Sequence, residues 1–135
     1  KLNIKTGELV FINAGHESIL LFGENKNYEY IKSDMPPIGI VKYFTETMVK
    51  SNTINLKDKT FVVYTDGVTE GYLKNGAELG AEGVQDIINK ITDITPKNIV
   101  EGIENQLNWG AEKLRDDITC MAINIKNTEL LKKNK

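Results

Sequence analysis

The chain has 135 residues, 40% of them hydrophobic and 27% charged, with a formal net charge of 17 − 19 = −2. These values suit one folded domain and exclude a disordered tract. The lack of a basic excess argues against a nucleic-acid partner or an anionic membrane, and no apolar run approaches the roughly 18 residues of a membrane span.

Taken in chain order, Lys5-Thr6-Gly7-Glu8 reads as a hairpin turn between "KLNI" and "LVFIN". Ile19–Phe22 and Tyr28–Ile31 are short strands flanking the turn "GENKN". "SDMPPIG", Ser33 to Gly39, must be a loop, because two prolines remove two donors and restrict the residues before them. Thr45–Leu56 alternates loosely and predicts a long strand. After "LKDK", Thr60–Thr65 is an apolar run suited to a strand covered on both faces.

The period then changes. Val84, Ile87, Ile88 and Ile91 follow i, i+3, i+4, i+7, one face of a helix. Thr95-Pro96 predicts an N-cap followed by proline at the first helical position. A second helix follows on Ile99, Val100, Ile103, Leu107 and Leu114, fraying near Gly110. Ile118–Ile125 closes as a strand of period two, with Ile118, Cys120 and Ala122 opposite Thr119, Met121 and Ile123. The expected organisation is a folded body over residues 1–126 and a polar tail over 127–135. Strands, then two helices, then a strand favour α+β with a mostly antiparallel sheet. The one cysteine, Cys120, excludes an internal disulfide and fits a reducing, cytoplasmic setting. No stretch of these residues reads as a signal peptide. Because the first residue is Lys1, a longer parent chain is expected.

Three stretches could carry chemistry. In "VVYTDGVTEG", Asp66 stands where a strand stops and Gly67 follows it. An Asp-Gly pair there is also an ordinary turn. Glycine would permit positive φ or close approach of a ligand. In "RDDIT", Asp116 and Asp117 directly precede the last strand. They read either as solvated acids of a helix-to-strand turn or as ligands for a hard cation. Magnesium and manganese take oxygen ligands, often one or two carboxylates with waters completing the shell. Two neighbouring strand ends could bring Asp66 and Asp116 to a single ion. In "NAGH", Asn13 to His16, the only histidine ends a tight Ala-Gly segment; a lone histidine is more often a hydrogen-bonding residue than a ligand. There is no Cys/His cluster for zinc, no phosphate-binding glycine loop and no nucleophile elbow.

"GELVFINAGHESILL", "PPIG", "TFVVYTDGVTEG" and "RDDITCMAI" occur in that order. Together they resemble the C-terminal part of a metal-dependent serine/threonine phosphatase of the PPM, or type 2C, family. The likeness is to the branch of stage II sporulation protein E and the sigma-factor-regulating phosphatases. It runs from about Lys1 to Ile125. It implies an antiparallel β-sandwich flanked by helices, here without its N-terminal portion. It also implies hydrolysis of phosphoserine or phosphothreonine at two Mn2+ or Mg2+ ions, and a phosphorylated regulator of the anti-anti-sigma type as substrate, with a sensor domain upstream.

By this resemblance Asp66 and Asp116 are metal ligands. Asp117, beside them, is often asparagine in relatives and so ranks below Asp116. Gly67 permits the chain to turn past the metal. Asn13, His16 and Glu70 brace the site without touching the ion. The family's early Asp-Gly pair, whose aspartate bridges both metals, has no counterpart here. Smaller departures are Glu17-Ser18, where prolines are common, and Cys120. The expected consequence is that the parent protein is the phosphatase and this piece alone is inactive or nearly so. Unpaired sheet edges lead us to expect dimerisation or strand exchange. Two alternatives are open at this point: a non-catalytic interaction module on a phosphatase-like scaffold, and a phosphoacceptor domain. The latter would want alternating strands and helices and a lysine ending a late strand.

Overall fold

The computed structural model describes residues 1–23, 27–108 and 116–125. They divide into two compact units, one of residues 1–61 with 124 and 125, the other of the described residues between 62 and 123.

In the first unit, β1 (Glu8–Phe11) pairs antiparallel with β4 (Asn52–Asn55), with Leu9 opposite Ile54. The expected N-terminal hairpin forms in reduced form. Gly7, at φ 80°, donates its N–H to the Asn3 carbonyl, and the arm before the turn is tied to β1 by the Leu2–Leu9 bridge and by Asn3 N–H to Glu8 O and Val10 N–H to Lys1 O. A second antiparallel pair joins β2 (Ile19–Gly23) to β3 (Tyr28–Ile31), with Ile19 opposite Ile31. Leu20, Leu21 and Phe22 are consecutive and all buried. The strand is therefore covered on both faces, which explains its run of apolar residues without alternation. Leu9, Met35, Leu56 and Phe61 complete this core, and the rings of Phe11 and Phe61 meet edge to face at 5.5 Å.

The long strand expected over Thr45–Leu56 is not there. Residues 46–48 form one turn of 3-10 helix, in which Met48 N–H donates to Thr45 O and Val49 N–H to Glu46 O. Only Asn52–Asn55 enters a sheet. The loose alternation misled because residues 42–50 are all exposed, so no buried face imposes a strand's period.

β5 (Lys59–Tyr64) passes from the first unit into the second, with Val62 fully buried and Tyr64 nearly so. Directly after it, α1 (Asp66–Thr69) makes a single turn anchored by the fully buried Val68. α2 (Gly80–Lys90) buries Val84 and Ile88, and α3 (Pro96–Gln106) buries Ile99 and Ile103. Each such side chain contributes about 1.5–3 kcal/mol relative to exposure. Thr95 caps α3 as its sequence predicts, its hydroxyl accepting from Asn98 N–H at 3.2 Å. α3 stops earlier than the apolar spacing suggests. Leu107 leaves the helix to bridge Leu73, and Asn108 N–H donates to Tyr72 O at 2.7 Å. Leu114 and Gly110 lie outside the described residues, as does the tail from Lys126. β6 (Cys120–Asn124) is the hydrogen-bonded neighbour of β5. It starts two residues later than expected. The period of two holds from Ile118 to Ala122 and lapses at Ile123, which is half-buried. Mixed helix with antiparallel strand pairing is the α+β class expected from the order of elements.

Candidate metal-binding rim

The end of β5 and the approach to β6 are stitched together by three hydrogen bonds through one residue. Thr65 N–H donates to Thr119 O at 3.0 Å. The Thr65 hydroxyl donates to Asp117 O at 2.9 Å and accepts from Thr119 N–H at 3.0 Å. Asp66 follows Thr65 immediately, and Asp116 precedes Asp117. The backbone thus carries the two acids, 116 − 66 = 50 positions apart in sequence, to one rim of the second unit.

Gly67 shows how tight the junction is. A Cβ built on it would stand 2.4 Å from the Asp117 carbonyl oxygen and 3.3 Å from that of Asp116. The first distance is too short for a methyl group and the second is tight, so glycine is the residue that lets the acidic loop ride over the start of α1. Of the two uses the sequence leaves open for Gly67, positive φ and close approach, positive φ is not the one adopted. Gly67 lies in an α-helical turn, is absent from the positive-φ residues, and is buried. Close approach is the operative reason, and what approaches is backbone.

Asp66, Asp116 and Asp117 are all exposed. Asp66 Oδ1 accepts from Gly67 N–H at 2.9 Å, and Asp116 Oδ1 accepts from Asp117 N–H at 2.7 Å. Each carboxylate keeps lone pairs facing water. Among the described residues no salt bridge neutralises any of the three. Asp117 takes part in the junction through its backbone carbonyl, which accepts from the Thr65 hydroxyl and lies against Gly67. Glu70 caps α1, its N–H donating to Asp66 O at 2.8 Å, and its side chain is exposed.

The donor set is hard oxygen, as magnesium or manganese would require. Its number is small. Among the described residues no group of three or more acids, histidines or cysteines is arranged to hold a metal. The residues therefore fit one side of a hydrated divalent cation and not a closed cage.

Asn13 and His16 belong to the first unit. Asn13 is 2% exposed; its Oδ1 accepts from His16 N–H at 3.0 Å and its Nδ2 donates to Glu17 O at 3.1 Å. His16 is exposed, with Nδ1 at 3.4 Å from Glu17 O. Asn13 therefore organises its own loop. Ser33, which the sequence did not single out, pins that loop: its hydroxyl accepts from Gly15 N–H at 2.7 Å and reaches the carbonyls of Asn13 and Met35 at 2.9 and 2.8 Å. Gly15, at φ 74°, lies so close to Pro37 that a Cβ would overlap the ring at 2.1 Å. "NAGH" and "PPIG" are thus two halves of one knot. Cys120 is half-buried, and burial pushes its thiol up from the ordinary 9.0 to about 11, as expected of a structural cysteine.

A family model described as stage II sporulation protein E (SpoIIE) matches residues 1–126. The chain belongs to the SpoIIE family. Among curated proteins, Protein IcfG of Synechocystis sp. is 26% identical over 129 residues, covering 90% of this chain and 19% of that protein. Among solved structures, the RsbU and RsbW domains of Rv1364c from Mycobacterium tuberculosis superpose with a TM-score of 0.68 at 20% identity, over 93% of this chain and 35% of that one. The manganese-presoaked phosphatase domain of the cell fate determinant SpoIIE from Bacillus subtilis gives 0.65 at 16% identity, over 93% and 54%. The SiaA-PP2C domain of Pseudomonas aeruginosa gives 0.62 at 19%, over 87% and 46%. The chain spans about a fifth of its curated relative and roughly a third to a half of these solved chains. At these identities the likeness establishes a PP2C-type fold and so a phosphatase-like scaffold. No helix among the described residues is long and apolar enough to cross a membrane.

Proposed function

We propose that this chain supplies one side of the metal centre of a protein serine/threonine phosphatase. The observation that carries the reading is the apposition of the Asp66 and Asp116 segments through Thr65 and Gly67. In this reading Asp66 and Asp116 hold Mn2+ or Mg2+ with waters filling the remaining positions, and Asp117 stands by as a weaker ligand. Bound divalent metal supplies an acidified water as nucleophile and neutralises the phosphoryl oxygens. The chain's own residues fix where that happens. Gly67 admits the acidic loop, Glu70 secures the turn that presents Asp66, and the knot of Asn13, His16 and Ser33 orders a separate loop. The proposed substrate is a phosphoserine or phosphothreonine on a regulatory protein of the anti-anti-sigma type, and the proposed setting is sigma-factor control in the cytoplasm. RsbU and SpoIIE among the structural relatives support that direction.

A two-metal centre needs more carboxylates than converge among the described residues. The 135-residue chain alone is therefore proposed to turn over phosphopeptide at a negligible rate, with the activity belonging to the parent protein. Incubation with manganese and a phosphothreonine peptide tests this; release of phosphate at the rate of an intact relative would refute it.

One observation favours a second reading. Each carboxylate at the rim already accepts an adjacent backbone amide, so both acids serve local turns. A non-catalytic interaction module on the same scaffold would need no more. Calorimetry with Mn2+ separates the two: the metal reading requires a heat that Asp66→Asn abolishes, whereas the module gives none that depends on Asp66.

A further inference from the structure

A threonine just before a helix ordinarily turns its hydroxyl onto an amide of the first turn. Thr65 stands in that position before α1, with extended φ −80° and ψ 161°, yet its side chain makes no capping bond. The hydroxyl is directed across to the other strand end, donating to Asp117 O at 2.9 Å and accepting from Thr119 N–H at 3.0 Å. With Thr65 N–H on Thr119 O, one residue makes three bonds to the segment that carries Asp116. On the neighbouring side the Asp117 carbonyl lies against the bare Cα of Gly67. The acidic loop is thus drawn in by Thr65 and admitted by Gly67.

We propose that Thr65 is a positioning residue for cation binding: its hydroxyl clasps the Asp116 loop to the start of α1 and so sets the affinity of the rim for a divalent ion. The proposal rests on the reading that Asp66 and Asp116 share that ion. Two exposed carboxylates on unlinked loops would each lose conformational freedom on closing around a cation. The clasp removes that loss before the ion arrives. Valine has nearly the shape of threonine but neither donates nor accepts, so it leaves both Asp117 O and Thr119 N–H without their partner. Serine keeps both bonds.

The test is a titration of the 135-residue chain with Mn2+, read by the electron paramagnetic resonance of free ion, for the unmodified chain, Thr65→Val, Thr65→Ser and Asp66→Asn. Amide hydrogen exchange of Thr119 is followed in parallel without metal. Asp66→Asn should abolish binding. Thr65→Val should weaken it about tenfold, the size expected for the net loss of one or two hydrogen bonds. Thr65→Ser should bind within about twofold of the unmodified chain, since it retains both bonds. Exchange at Thr119 should quicken in Thr65→Val only. If Asp66→Asn loses binding while Thr65→Val keeps it, the clasp is overturned and the shared-ion reading stands. If the unmodified chain and Asp66→Asn bind alike, the shared-ion reading fails and the proposal falls with it. Should Thr65→Val not fold, Thr65→Ala replaces it. Exchange of Thr119 in the unmodified chain at the rate of an unprotected peptide also overturns the clasp.

Discussion

The carbonyl oxygen of Asp117 lies where a side chain of Gly67 would begin, 2.4 Å from an ideal Cβ position. Residue 67 belongs to the turn that follows β5, and residue 117 to the approach to β6. Their contact is the most direct statement that the "TDG" and "DD" motifs are parts of one structure. Backbone carbonyl cannot retreat as a flexible side chain can, and here Thr65 holds it in place.

Gly67→Ala follows from this contact. The added methyl must push the acidic loop away or shift α1, whose Val68 is fully buried. A loss of about 1–3 kcal/mol is expected, the usual range for overpacking. Urea unfolding measures it, and a midpoint equal to that of the unmodified chain would contradict the geometry.

Ser33→Ala should loosen the "NAGH" loop. It leaves Gly15 N–H without its acceptor and removes a donor from the carbonyls of Asn13 and Met35. The expected cost is about 1–3 kcal/mol, the penalty of stranding a polar group. Gly15 N–H and His16 N–H exchange should quicken together, and unchanged protection at Gly15 would count against the knot.

The thiol of Cys120 carries a pH signature. Its folded value of about 11 lies above the ordinary 9.0, because burial disfavours the thiolate. The unfolded chain therefore releases this proton first as pH rises. The contribution to stability is complete below pH 9 and is lost between about 9 and 11. Cys120→Ala should flatten the fall of the unfolding midpoint across that window. Iodoacetamide at pH 8 should modify native Cys120 far more slowly than urea-unfolded chain; equal rates would contradict the burial.

Much of the architecture was legible because burial wrote a period into the chain. Val84 and Ile88, or Ile99 and Ile103, recur at helical spacing since one face of each helix is covered. Thr95-Pro96 states a capping chemistry that needs no tertiary context. Where nothing is buried the text is blank. Residues 42–50 are exposed, and their conformation follows local 3-10 hydrogen bonds rather than a pattern. α3 ends where Leu107 finds Leu73, a partner more than thirty residues away that no local spacing announces. At the rim, residue types gave the acids and the glycine. The reason for the glycine was visible only once Asp117 O stood beside it. Thr65 was passed over because its role depends on a strand contributed from the far end of the chain.

The central claim is that Asp66 and Asp116 grip one cation together, and paramagnetic broadening by substoichiometric Mn2+ tests it most directly. A shared ion should broaden the amide signals of Gly67 and Asp117 in parallel, and either Asp66→Asn or Asp116→Asn should restore both. Broadening at one position that persists when the opposite aspartate is replaced, or no localised broadening at all, would contradict the account.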